Sequence, residues 1–134
     1  MDIKGIISPL ITPFTENGEV YDDGLRRLLD FQIKGGVHGL WVCGTYGAGP
    51  LMTIEQRKKV TETCVDQVSK RIPVIIHVGS SSLDSVIDLA RHAEAAGADA
   101  IGSVPPFFYP YNEKEVLTFY KRLISTVKIP RVCL

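Results

Sequence analysis

The chain has no excess of charge of either sign. Its 134 residues include 15 Lys and Arg and 15 Asp and Glu, and the basic residues occur singly or in pairs instead of in one cluster. A surface that binds nucleic acid is usually basic, because it has to neutralise phosphates. The composition therefore gives no reason to expect a nucleic-acid partner.

Long apolar runs are also missing. No stretch of about 18 apolar residues, the length that suggests a membrane-spanning helix, occurs in the sequence. The opening residues 1–4 lack the basic segment and the following apolar stretch of a secretory signal. We therefore expect no membrane partner and, by default, a cytoplasmic protein.

Cysteine is scarce, and its three copies lie far apart, at Cys43, Cys64 and Cys133. This spacing fits neither zinc ligands nor the dense disulfide framework of a small secreted domain. His38 and His92 add no ligand pattern. We expect reduced and mostly buried thiols, and neither a metal nor a cofactor.

What the sequence does contain is a regular alternation of two patterns. Apolar, β-branched runs typical of strands alternate with stretches of helical period. We predict strands over 5–11, 38–43, 73–78, 98–104 and 129–134, and helices over 21–35, 53–70, 82–96 and 112–127. The order is a β-α unit four times, followed by the start of a fifth strand.

The predicted helices carry signals at their ends. Side chains that accept hydrogen bonds from the first helical turn favour a helix start, and glycine favours the left-handed residue that follows a helix. We expect N-terminal caps at Thr53 (a capping box with Gln56), Ser82 and Asn112, and left-handed glycines at 35–36 and 97.

The β-α alternation is compatible with an open sheet or with a closed barrel. The almost continuously apolar segment 74–78 indicates a parallel sheet covered on both faces. The segment 9–14 after the first strand is not the glycine-rich loop that an open dinucleotide-binding sheet needs. A barrel is favoured, and since a full barrel takes about 250 residues, we predict a single truncated α/β domain over 1–134. It would be the N-terminal half of a (β/α)₈ TIM barrel, (βα)₄ plus the start of strand 5.

In such a barrel the reactive groups lie at the carboxyl ends of the strands. The loop over 44–50 is the richest of these places, because three glycines free its backbone and Thr45 and Tyr46 supply hydroxyls. It could hold an anion, or it could be a tight turn whose glycines serve only the backbone geometry. Composition alone leaves both readings open.

Three segments in order resemble one known family. Gly-Thr-Tyr-Gly at 44–47 resembles the Gly-Thr-Thr-Gly signature of the dihydrodipicolinate synthase/N-acetylneuraminate lyase family of Schiff-base aldolases. Segment 9–14 resembles its opening strand and loop, and 104–109 its Pro-Tyr-Tyr segment. The continuation over 47–51, together with 107–110, is more similar to the archaeal 2-keto-3-deoxygluconate aldolase branch than to the synthase branch, which usually has a glutamate after the second glycine.

The resemblance implies site residues and a substrate. The backbone N–H groups of Thr45 and Tyr46, framed by Gly44 and Gly47, would bind the carboxylate of a pyruvate-like 2-oxo acid, and the Thr45 hydroxyl would relay a proton. Tyr46 departs from the second threonine of the signature. The paired tyrosines of the family are phenylalanines here, at 107 and 108, so Tyr109 is the candidate for the missing hydroxyl.

The family nucleophile is a lysine at the end of strand 6, helped by a tyrosine at the end of strand 5. The eight lysines of this chain are predicted on helices, at their ends or before the first strand. A carbon–carbon lyase or aldolase family member is therefore implied, with little or no activity expected of this chain alone. A metal-dependent aldolase would need His and carboxylate ligands at strand ends, which the sequence lacks.

An alternative from another class is a non-catalytic half-barrel fragment or assembly module. Its first and fifth strands would be unpaired edges, which invite pairing between copies, so we expect a homo-oligomer. His77 in the third strand is predicted mainly as a structural residue, with a catalytic role only if it faces the barrel rim. Trp41 is predicted in the core or the barrel interior.

Overall fold

A computed structural model describes residues 3–133 as five strands and four α-helices that alternate along the chain. The strands are β1 (Ile7–Pro9), β2 (Gly39–Val42), β3 (Val74–His77), β4 (Ala100–Ser103) and β5 (Arg131–Cys133). The helices are α1 (Asp22–Lys34), α2 (Ile54–Val68), α3 (Leu83–Ala96) and α4 (Glu113–Thr126), with one 3₁₀ turn over Gly49–Leu51. Every predicted element is present, although each strand is shorter than predicted. Leu134, the end of the predicted fifth strand, and residues 1–2 lie outside the described residues.

The five strands form one parallel sheet in the order β1-β2-β3-β4-β5. Ile7 pairs with Gly39, Trp41 with Ile75 and His77 with Gly102. Each helix connects a strand to its next neighbour, and consecutive helices pack side by side. This is half of a (β/α)₈ barrel, as the sequence predicts.

The main core lies between the sheet and its helices. Leu40 and Val42 of β2 and Ile76 of β3 belong to one buried cluster together with Leu25 of α1 and Val60 of α2. All four residues of β3 are buried, which confirms the predicted burial on both faces. Truncating one such side chain to alanine typically costs about 2–5 kcal/mol of stability.

Trp41 covers part of the opposite, concave face. Its indole reaches from β2 across β3 to β4, where a Cβ on Gly102 would overlap the ring. The ring centroid lies 5.8 Å from that of His77. Trp41 is half-buried, and its contact with Gly102 places it in the barrel interior, one of the two locations that the sequence predicts for it.

The caps at the helix starts match the sequence signals. Thr53 and Gln56 form the reciprocal capping box of α2, and Asn112 forms another with Glu115 at α4. The Ser82 hydroxyl accepts from the Ser85 N–H at the start of α3. These bonds satisfy backbone donors that have no partner inside the helix.

The helix ends match less well. Gly35 is right-handed, and Gly36 takes the left-handed conformation one residue later, at φ +83°. Helix α2 ends through Ser69 and Lys70, which are both left-handed although neither is glycine. Lys70 is held there because its Nζ contacts the Gly97 carbonyl at 2.6 Å and an Asp99 carboxylate oxygen at 2.9 Å. Because Gly97 and Asp99 are distant in sequence, the residues around Lys70 give no sign of this helix end.

The cysteines are free thiols. Cys43 and Cys64 are buried, as predicted, whereas Cys133 at the last described strand is exposed. Across residues 3–133, none of the helices has the length and apolar character needed to cross a membrane.

Candidate anion-binding site

The loops that follow β1 to β4 meet at the carboxyl edge of the parallel sheet. The loop between β2 and α2, over 43–53, is the one that the sequence marks. The Thr12 hydroxyl in the loop after β1 donates a 2.7 Å hydrogen bond to the Gly47 carbonyl. The first two loops are therefore tied together at this edge.

The segment 44–47 is a closed turn with two unused donors. The Gly47 and Gly49 N–H groups both donate to the Gly44 carbonyl, at 3.1 and 3.0 Å. Among the hydrogen bonds of the described residues, none uses the N–H groups of Thr45 and Tyr46, and both residues are exposed. Two adjacent free N–H groups on a glycine-rich turn are a common way to hold an anion.

The glycines also have a reason that involves no ligand. A Cβ at position 47 would lie 2.5 Å from the Leu10 carbonyl oxygen, and a Cβ at position 49 would overlap the Cys43 carbonyl. Each of these glycines lets two backbone segments approach closely. The two readings that composition leaves open are thus compatible, since the packing shapes the same turn that exposes the donors.

Two non-glycine residues of this loop are left-handed. Cys43 has φ +59° and Ala48 has φ +58°. Such a conformation costs roughly 1 kcal/mol for a residue that carries a Cβ. The hydrogen bonds to the Gly44 and Gly47 carbonyls hold the loop in this conformation.

The predicted relay residues are present but not connected. Thr45 is exposed, and so is Tyr109, whose ring packs edge-on to Phe108 with centroids 5.0 Å apart. Phe108 is left-handed, at φ +88°. No hydrogen bond joins Thr45 to Tyr109 among the described residues. The relay roles of both residues therefore stay predictions.

His77 is buried at the end of β3, and its two ring nitrogens face backbone groups. Nδ1 lies 3.2 Å from the Cys43 carbonyl oxygen, and the Val104 N–H points to Nε2 at 3.4 Å. Burial, together with the positive charge of Arg57, lowers the pKa of His77 to about 4. A neutral imidazole with both nitrogens engaged fits the predicted structural role better than that of a general base.

Arg57 is the residue that sequence reasoning missed. It lies on α2, is 3% exposed, and donates from Nη1 to the Gly79 carbonyl at 3.0 Å and from Nη2 to the His77 carbonyl at 2.6 Å. Burial lowers the pKa of the guanidinium. The available signal was its position, three residues from both Ile54 and Val60 on the apolar side of the helix.

The lysines lie where the sequence predicts. Lys4 precedes β1, Lys34 ends α1, Lys58 and Lys59 are in α2, Lys70 follows α2, Lys114 and Lys121 are in α4, and Lys128 follows α4. Seven are exposed, and the half-buried Lys58 pairs with Asp88 at 2.7 Å. None of the eight follows directly on the carboxyl end of a described strand.

A separate pocket lies between the start of α3 and α4. It has a volume of about 370 Å³ and a largely apolar lining that includes Leu83, Tyr111 and Phe119. Lys114 lies at this pocket, whereas no residue of 44–47 lines it. The pocket is therefore distinct from the glycine turn.

Known proteins are similar to this chain in sequence and in fold. The 4-hydroxy-tetrahydrodipicolinate synthase of Bartonella quintana is 40% identical over 128 residues, which cover 96% of this chain and 44% of that protein. The structure of CdNal from Clostridium difficile in complex with mannosamine is similar with a TM-score of 0.97 and 31% identity, covering 99% of this chain and 46% of that one.

A second similar structure contains pyruvate. It is YagE from E. coli K12, a prophage protein of the dihydrodipicolinic acid synthase family in complex with pyruvate, with a TM-score of 0.94 and 32% identity, covering 96% of this chain and 43% of that one. The chain thus spans less than half the length of these proteins.

The family itself is shown by a match over nearly the whole sequence. The model of the dihydrodipicolinate synthetase family matches residues 2–133. The half-barrel of β1 to β5 lies within that match. The chain therefore belongs to the dihydrodipicolinate synthetase family.

Proposed function

We propose that the turn at 44–47 binds the carboxylate of a pyruvate-type 2-oxo acid. The observation that carries this proposal is the pair of unused N–H groups at Thr45 and Tyr46 on a turn at the carboxyl edge of the sheet. The pyruvate complex of a structural relative supports the choice of anion. Gly44 and Gly47 shape the turn.

The reaction we propose for the whole protein is carbon–carbon bond cleavage or formation through a lysine Schiff base. The substrate ketone would condense with a lysine amine, and the Thr45 hydroxyl would relay a proton, with Tyr109 as the second candidate for that relay. The proposal needs no metal and no cofactor. Its support is membership of the family and the position of Thr45 beside the proposed carboxylate site.

This chain alone is proposed to be inactive as an aldolase. A lysine that forms an imine at neutral pH needs an apolar or cationic surrounding. Seven of the eight lysines are exposed to water, including Lys114 at the rim of the apolar pocket, and Lys58 faces a carboxylate. The lysine of the reaction would come from outside these eight.

For the whole protein we propose cleavage of a 2-keto-3-deoxy sugar acid into pyruvate and an aldehyde. We rank this reaction ahead of the condensation of pyruvate with an aldehyde that the synthases carry out. The reason is Ala48, which stands where the synthase branch usually has a glutamate. A methyl group provides no charge for an amino substrate. Comparing 2-keto-3-deoxygluconate with aspartate semialdehyde as substrates of the whole protein tests this choice.

A second candidate is a half-barrel assembly module that forms a homo-oligomer. The observation in its favour is that β1 and β5 each pair on one side only in the described sheet. Ile6 and Ile11, which flank β1, are 65% and 46% exposed. Sedimentation of the purified chain tests for oligomers, and one cooperative unfolding transition would support a single domain over 1–134. A cytoplasmic location stays a prediction.

The first experiment is a pyruvate titration of the ¹⁵N-labelled chain. We expect the largest shifts at the Thr45 and Tyr46 amides, and weaker binding of methyl pyruvate, which lacks the carboxylate. Thr45→Val is the matched variant, because it removes the hydroxyl and keeps the N–H, so binding should persist. Saturable shifts elsewhere with none at these amides would contradict the site.

Borohydride trapping tests the inactive state. Reduction makes an imine permanent, so intact mass reports any adduct with pyruvate. We expect no stoichiometric adduct. If one forms, Lys114→Arg is the first variant to examine, since Lys114 lies at the apolar pocket. A stoichiometric adduct on any of the eight lysines would refute the proposed inactivity.

A further inference from the structure

One buried ring contacts the start of two loops at the carboxyl edge. His77 ends β3, its Nδ1 lies 3.2 Å from the carbonyl oxygen of Cys43, and the Val104 N–H points to its Nε2 at 3.4 Å. Cys43 is the first residue after β2, and Val104 is the first residue after β4. The ring is therefore a link between the proposed anion-binding turn and the loop that carries Tyr109.

Arg57 fixes the position of this ring from the helix side. Its two terminal nitrogens hold the carbonyls of His77 and Gly79, on either side of Val78. Gly79 lies so close to the ring that an added Cβ would come within 2.8 Å of it. The guanidinium thus holds the backbone at His77 and at Gly79, two residues further on, which favours one position of the imidazole.

Stability alone is a poor explanation for this arrangement. A guanidinium that is 3% exposed loses its hydration, and its hydrogen bonds in the described residues go to neutral carbonyls, with Nε left without a partner. Burying a charge in this way is costly compared with an apolar side chain of similar size. A role in the geometry of the edge accounts for the cost.

We infer that Arg57 and His77 are positioning residues, which hold the loop after β2 against the ends of β3 and β4 and so orient the Thr45 and Tyr46 N–H groups. Cys43 transmits the constraint, because its carbonyl is the acceptor for His77 and it directly precedes Gly44, whose carbonyl closes the turn. The ligand in this inference rests on the proposed function, whereas the link between loops does not.

The first test needs no variant. The donors and acceptors around the ring require a proton on Nδ1 and none on Nε2, which the ¹⁵N chemical shifts of the imidazole report at pH 7. We expect this single neutral tautomer in the 134-residue chain. A proton on Nε2, or a rapid mixture of both tautomers, would overturn the inference.

The second test compares His77→Gln with His77→Phe. Gln keeps one donor and one acceptor, whereas Phe keeps a ring and has neither. We expect hydrogen exchange of the Gly47 and Gly49 amides to accelerate about tenfold in the Phe variant and to stay within about threefold of wild type in the Gln variant. The buried α3 amides of Ala90 and Ala93 correct for any change in global stability.

The same pair of variants is then titrated with pyruvate. We expect the Phe variant to bind about tenfold more weakly and the Gln variant to recover most of the affinity. Arg57→Met and Arg57→Lys form a second pair, which keeps the test available if the Phe variant does not fold. Arg57→Lys should keep the Gly47 and Gly49 amides protected from hydrogen exchange, whereas Arg57→Met should not.

The outcomes separate this inference from the proposed function. If wild type binds no pyruvate but the loop amides respond as expected, the anion site is wrong and the positioning link stands. If pyruvate binds and the apolar variants leave both loop exchange and affinity unchanged, the positioning role is refuted and the anion site stands.

Discussion

The indole of Trp41 rests directly on the backbone of Gly102, two strands away. A Cβ at position 102 would overlap the six-membered part of the ring. We therefore expect Gly102→Ala to lower the free energy of unfolding by about 1–3 kcal/mol, the usual cost of overpacking. Urea denaturation followed by circular dichroism measures it.

The matched control is the double variant Trp41→Leu with Gly102→Ala, compared with Trp41→Leu alone. The smaller side chain leaves room for the methyl group, so the alanine should then cost less than about 0.5 kcal/mol. Equal costs in both backgrounds would contradict the contact.

Ser69 ends α2 in a left-handed conformation, at φ +46°. We expect Ser69→Gly to stabilise the chain by about 0.5–1 kcal/mol, because glycine adopts this conformation without the steric penalty of a Cβ. Ser125→Gly is the control of opposite sign, since Ser125 lies in the right-handed helix α4, where glycine destabilises. A loss of stability in Ser69→Gly would contradict the left-handed conformation of Ser69.

The stability should fall as the pH drops below neutrality because of His77. Its pKa is about 4 in the folded chain and about 6.5 when unfolded, so the unfolded state binds the proton first. The contribution is fully present above pH 6.5 and is lost as the pH falls toward 4. A shift of this size corresponds to a few kcal/mol, about 3 as an order of magnitude.

His77→Gln isolates this effect, since it removes the titrating group and keeps polar atoms. We expect the loss of stability between pH 7.5 and 4.5 to be smaller in the Gln variant than in wild type, both measured by urea denaturation. Parallel pH profiles for the two proteins would show that His77 is not the buried neutral group described here.

Thiol labelling should distinguish the three cysteines. Burial raises the pKa of the Cys43 thiol to about 11 and that of Cys64 well above its usual value, so neither provides much thiolate at pH 8. Cys133 is exposed. We expect one fast-reacting thiol per native chain and three in urea, counted with a chromogenic disulfide reagent, and fast labelling of a Cys133→Ser variant would contradict this.

The order of strands and helices was predictable because its signals are local. The apolar run before His77 and the capping box at Thr53 each act within a few residues, and both were confirmed. The left-handed Ser69 was not predictable, since the contacts that hold its neighbour Lys70 come from Gly97 and Asp99. Long-range contacts override the local preference at this helix end.

The candidate site was predictable in part for a similar reason. The turn at 44–47 is continuous in sequence, so its glycines and hydroxyls mark it. Arg57 was missed because an arginine on a helix normally faces solvent, and the carbonyls that hold it lie at the end of β3 and in the loop after it, about 20 residues away in sequence. The relay roles of Thr45 and Tyr109 stay predictions.

The cover that Trp41 places over the concave face has a consequence for synthesis on the ribosome. Ile75 and His77, on the strand that the indole crosses, are 2% and 3% exposed with only five strands present. Their burial thus comes from residues made earlier or only slightly later in the chain. The centre of the sheet is thus shielded from water before any later strand is made, which leaves less apolar surface exposed at the stage of translation when a partly made barrel is most prone to aggregate.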